Sequence, residues 1–149
     1  MKNSYNLLGK ITMLTDLYQE VIIDHSKNPR NFGKLDKYTY MAEGNNPLCG
    51  DSLTVYVNIK DNVVSDISYQ ARGCAISLAS ASIMSSVIKS KTIEEVNIIF
   101  DKFYKLCTSQ EIEDDENTET LKDLSGVSKF PTRLKCATIS WEALKSAVE

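Results

Sequence analysis

The sequence predicts an α+β fold, a small antiparallel β-sheet of about three strands with helices packed on one face. Two stretches of strict apolar alternation flank an Asp-Asn pair, and apolar stripes at helical spacing fill much of the remainder. With 149 residues, 42% of them apolar and 25% charged, the chain is long enough to enclose a sizeable core.

In chain order, Leu14, Leu17, Tyr18, Val21, Ile22 and His25 mark one face of a helix over 14–25. It should stop near Asn28-Pro29, because the residue before proline is driven out of the helical region. Tyr38–Glu43 suits a short strand, and Gly44-Asn45-Asn46-Pro47 reads as a loop. Leu53, Val55, Val57 and Ile59 then alternate with polar residues. Asp61-Asn62 makes a tight turn, and Ile67, Tyr69 and Ala71 alternate on the far side. This hairpin brings the segment before its first strand close to the segment after its second. Residues 75–88, rich in Ala and Ser, predict a helix suited to close packing. Thr92-Ile93-Glu94-Glu95 has the form of a capping box opening the next helix. On that helix Ile93, Val96, Phe100, Phe103 and Cys107 form a stripe, so Cys107 reads as a buried structural thiol. A last helix over about 137–148 turns Ile139, Ala143, Leu144 and Ala147 inward. Residues 1–13 read as a disordered N-terminal extension, and 14–149 as one domain.

Net charge is −3, and the segment 111–119 (EIEDDENTE) alone holds six acidic residues and no basic one. Such a run reads as a solvated loop. No basic stripe with interleaved aromatics argues for nucleic acid, and no apolar stretch is long enough to cross a bilayer. Nothing at the start has the form of a secretory signal. The expected setting is the cytoplasm, where thiols stay reduced.

There the three remaining cysteines suggest metal binding or sulfur chemistry. Cys49-Gly50-Asp51 precedes the first hairpin strand, Cys74 follows the second, and Cys136 adjoins the last helix. In extended chain Cys49 and Asp51 would point the same way, about 6.6 Å apart at Cα, and Gly50 permits a tighter bend. Zinc suits three thiolates and one carboxylate in tetrahedral array. Thiolates also gain from helix N-termini, near which Cys74 and Cys136 fall. Arg72, Arg133 and Lys135 lie beside two of these cysteines, where they either offset the negative charge or are simply solvated. A carboxylate among thiolates is unusual for a purely structural zinc site and favours ligand exchange. By spacing alone, a structural zinc site or three unrelated buried thiols stays open.

The stretches LYQEVIIDHSKNPRNFG, NPLCGDSLTVYV, ARGCAISLASASIM and LSGVSKFPTRLKCATISWEAL carry a resemblance. Over most of its length from Leu17 the chain resembles the U-type iron–sulfur assembly proteins, the NifU N-terminal or IscU-like family. The resemblance implies a NifU-like fold and metal ligands at Cys49, Asp51, Cys74 and Cys136. Two features depart from the scaffold branch of that family. Lys135 stands where a histidine precedes the last cysteine, and Phe130-Pro131-Thr132-Arg133-Leu134-Lys135 replaces a Leu-Pro-Pro-Val-Lys motif. Extra residues around 107–125 and the SGVSKFP-x-R-x-KCAT pattern look like the SufU branch instead. His25, the only histidine, matches no family ligand and is expected to pack.

That branch implies a zinc-dependent sulfurtransferase. A pyridoxal-phosphate cysteine desulfurase would form a persulfide and pass its terminal sulfur to Cys49. Downstream iron–sulfur assembly proteins would receive it. Asp51, Cys74 and Cys136 would hold the zinc meanwhile, with Arg133 a candidate for an electrostatic role. The alternatives are a scaffold building a transient [2Fe–2S] cluster on the same ligands and, further off, a structural zinc module.

Overall fold

The computed structural model describes residues 20–149. The expected extension over 1–13 and the helical positions Leu14, Leu17 and Tyr18 lie outside the described residues. The elements run α1 (Glu20–Lys27), β1 (Tyr40–Asn46), β2 (Asp51–Lys60), β3 (Val63–Arg72), α2 (Ala75–Ile88) and α3 (Ile93–Cys107). A short α4 (Thr118–Leu121), two 3₁₀ segments (Lys122–Lys129 and Pro131–Arg133) and α5 (Leu134–Val148) complete the order.

The three strands form one antiparallel sheet in the order β1-β2-β3. Asp61 and Asn62 both take positive φ, 53° and 64°, which matches the right-handed twist of a two-residue hairpin. Side chains alternate across a strand, so Leu53, Val55 and Val57 share one face with their partners Ala71, Tyr69 and Ile67. Helices α2 and α5 pack against the sheet, and all of these residues except half-buried Ala71 are at most 4% exposed. The α+β expectation holds.

Serine and glycine let the layers approach. Ser80 Oγ on α2 donates to the Ala137 carbonyl of α5 at 2.5 Å and accepts from Trp141 Nε1 at 3.1 Å. At Gly44, a Cβ would stand 2.9 Å from Ile139 Cγ1, so α5 rests on β1 where a larger residue would push it away. The capping box forms as expected, with Glu95 N–H donating to Thr92 Oγ1 and Thr92 N–H to Glu95 Oε1, both at 3.2 Å. His25 is buried, its Nδ1 2.7 Å from Ser82 Oγ. Burial first, then the Arg30 charge, pulls its pKa below the ordinary histidine value. Its place is the α1–α2 contact.

Three boundaries differ from expectation. β1 runs through Gly44, Asn45 and Asn46, which local composition assigns to a loop; pairing with Leu53, Ser52 and Asp51 holds them extended. The turn is consequently Pro47–Gly50, and Asp51 is the first residue of β2. α5 begins at Leu134, so Cys136 lies inside its first turn. The acidic run has no regular structure before α4, but it is tethered. Lys102 Nζ lies 2.6 Å from Asp115 Oδ2, and Lys122 Nζ 2.7 Å from Asp114 Oδ1. Among the described residues no helix is long and apolar enough to cross a membrane.

Candidate functional site

One end of the sheet meets the N-terminal ends of α2 and α5, and the sequence brings its reactive side chains there. By strand parity Asp51 shares the helix-covered face of β2 with Leu53 and Val55, and it is fully buried. Its Oδ1 accepts the backbone N–H of Cys74 at 2.9 Å. Cys74 is the N-cap of α2 and makes no side-chain cap bond of its own. The carboxylate from β2 thus supplies the acceptor that the start of this helix needs, where the dipole also favours negative charge.

Gly73 makes that approach feasible. Its φ is +152°, and a Cβ there would collide with the Asp51 carboxylate and lie 3.0 Å from the Asp51 Cα. Gly73→Ala is therefore expected to push Asp51 off the Cys74 N–H. Stability should fall by about 1–3 kcal/mol, with a larger proportional loss of metal retention. Thermal unfolding and metal competition on the same sample check it.

Cys49 sits in the Pro47–Gly50 turn and is exposed, whereas Cys136 is fully buried. Their sulfurs are 3.4 Å apart. The turn is bent at Gly50, with φ +70°, so the extended geometry expected between Cys49 and Asp51 gives way to a tighter one. One ligand atom each from Cys49, Asp51 and Cys136 lies within 4.8 Å of the others. Two soft sulfurs and a hard oxygen at that separation suit a borderline divalent cation such as zinc. Cys74, half-buried, is not among the three residues whose ligand atoms meet at that distance, and it joins them through its backbone N–H on Asp51 Oδ1. The Cys136 thiol is pushed well above the usual range, chiefly by burial, then by Asp51, Cys49 and Cys74. A bound cation would reverse that preference for the proton.

The remaining expected residues separate. Cys107 is 2% exposed on α3, its thiol pushed up to about 12 by burial alone, as a core residue should be. Lys135 Nζ is 2.5 Å from Glu142 Oε2 at the exposed surface of α5, so its charge is engaged by a carboxylate outside the thiol cluster. Arg72 ends β3 at the surface, and Arg133 is half-buried in the 3₁₀ turn leading into α5. Asn46 is the residue the sequence reading missed. Its Nδ2 lies 3.5 Å from Asp51 Oδ2 and 3.8 Å from Cys136 Sγ. The available signal was its position five residues before Asp51, which pairs the two once β1 extends that far.

Known proteins resemble this chain over most of its length. The zinc-dependent sulfurtransferase SufU of Bacillus subtilis (strain 168) is 42% identical over 135 residues, covering 91% of each chain. The iron–sulfur cluster assembly scaffold protein IscU of Streptococcus pyogenes serotype M1 is 37% identical over 139 residues, covering 93% of this chain and 87% of that protein. The crystal structure of FiSufU from Fervidobacterium islandicum AW-1 superposes with a TM-score of 0.84 at 29% identity, covering 91% of this chain and 98% of that one. The model of the NifU-like N terminal domain matches residues 17–149. Because that match spans nearly the whole chain, the protein belongs to the NifU-like N-terminal domain family, on its SufU branch.

Proposed function

We propose that this chain is a zinc-dependent sulfur carrier in iron–sulfur cluster assembly, accepting persulfide sulfur on Cys49. The observation that carries the reading is the contrast within the trio. Cys49 is exposed on a bent turn, while Asp51 and Cys136, its neighbours at the cluster, are buried. One thiol is reachable by another protein's reactive group, and the rest of the cluster is sheltered.

Cys49, Asp51, Cys74 and Cys136 are the proposed ligands. Zinc would hold the thiols as thiolates and, being redox-inert, would not itself oxidise them. In the transfer, the Cys49 sulfur attacks the terminal sulfur of a persulfide on a pyridoxal-phosphate cysteine desulfurase. A new S–S bond forms on Cys49, the partner's S–S bond breaks, and the partner's cysteine leaves as a thiolate. No electrons are gained or lost overall. Asp51, Cys74 and Cys136 would hold the ion while Cys49 reacts, and downstream assembly proteins would take the sulfur. Arg133, next to the start of α5, is proposed to favour the approach of the anionic persulfide. A cytoplasmic setting fits free cysteines kept reduced.

The IscU likeness supports a second reading, in which the same thiols build a transient [2Fe–2S] cluster. Metal and acid-labile sulfide content of protein purified without air or added metal separates the two. About one zinc per chain without sulfide is expected; iron and sulfide in equal amounts would establish the scaffold instead.

A further inference from the structure

Asn46 touches three residues of the cluster at once. It ends β1, stands opposite Asp51 in the sheet register, and is 3% exposed. Its backbone carbonyl accepts the Cys49 N–H at 3.2 Å, closing the turn that carries the exposed thiol. Its side-chain nitrogen faces Asp51 Oδ2 at 3.5 Å and Cys136 Sγ at 3.8 Å.

The carboxamide turns its NH₂ end inward, where an amide nitrogen can donate to a carboxylate oxygen and to a sulfur. It has two hydrogens, one for each acceptor. An amide is also the donor best matched to a cation site. Lysine or arginine would offer N–H groups too, but would bring a positive charge against the ion. Aspartate would set a second carboxylate against the first.

We propose that Asn46 is the positioning residue of the cluster: its carbonyl sets the Cys49 turn while its carboxamide holds the Asp51 carboxylate and the Cys136 sulfur toward one divalent cation. This rests on the metal-site reading above. Hydrogen-bond partners of metal ligands, where removed, typically cost about 10–100-fold in metal affinity.

The test is titration of zinc-free protein with Zn²⁺ against a chromophoric chelator, and with Co²⁺ followed by its ligand-field and sulfur-to-cobalt bands. Asn46→Ala is expected to bind about 10–100-fold more weakly and to show shifted cobalt bands. Asn46→Leu, which fills the space without the donors, should do the same while folded by circular dichroism. Val64→Ala removes buried volume at the other end of the β2–β3 hairpin and should leave both readouts at wild-type values. Wild-type affinity and bands in folded Asn46→Ala or Asn46→Leu would overturn the inference alone. An equal loss in Val64→Ala would overturn it too, by showing general packing to be the cause. Wild-type protein that takes up neither ion would overturn the metal reading and this inference together.

Discussion

Cys49→Ala is expected to fold and keep its zinc, more weakly, yet accept no sulfur and fail to stimulate a cysteine desulfurase. Because Cys49 is exposed, its truncation should change stability by no more than about 0.5 kcal/mol. Cys136 and Asp51 are buried behind it and, with Cys74, would remain to hold an ion. Sulfur acceptance should fall at least about a hundredfold, a modest figure beside what loss of a nucleophile costs an enzyme. Incubation with desulfurase and labelled cysteine, followed by mass spectrometry of the intact chain, reads the added sulfur directly. Normal stimulation, or sulfur found on Cys74 or Cys136 in the variant, would remove Cys49 from the acceptor role.

The second large effect belongs to Asp51. Asp51→Ala strips the acceptor from the Cys74 N–H and a partner from Asn46. Buried donors left unsatisfied cost about 1–3 kcal/mol, and the proposed ligand set loses its oxygen donor. Both the unfolding midpoint and zinc retention should drop. Asp51→Asn separates the two, since its amide oxygen can still accept from Cys74 while the negative charge is gone. It should restore most of the stability and little of the zinc affinity. Cys107→Ala is the contrast: a core loss of about 1 kcal/mol with zinc binding and sulfur acceptance intact. Equal effects at 51 and 107 would erase the distinction between cluster and core.

Much of this architecture is legible in local sequence. Thr92 and Glu95 announce a helix start because both halves of the box lie within one turn, and the Asp61-Asn62 hairpin follows from residues that tolerate positive φ. Cys107 separates from the other thiols by periodicity alone. What escapes depends on distant partners. Tyr40–Asn46 lacks the β-branched residues of a typical strand, and its last three positions are extended because β2 pairs with them. Asn46 accordingly reads as a loop residue until the register brings it against Asp51. Lys135 shows the opposite limit. Its neighbour in sequence is a cluster cysteine, but its neighbour in space is Glu142, seven positions along α5. The short helices between Thr118 and Arg133 carry no apolar period long enough to announce them.

The cluster draws on three separate parts of the chain, and Cys136 meets Cys49 across 87 positions. That last contact exists only while α5 lies on the sheet, seated where Gly44 lets Ile139 in. Any cation held jointly by both segments therefore binds the docked chain and not the opened one. At a free concentration a hundred times its dissociation constant, such a ligand deepens the native basin by about 2.7 kcal/mol. An ion bound there would tie α5 to the sheet, and removing it would weaken that docking.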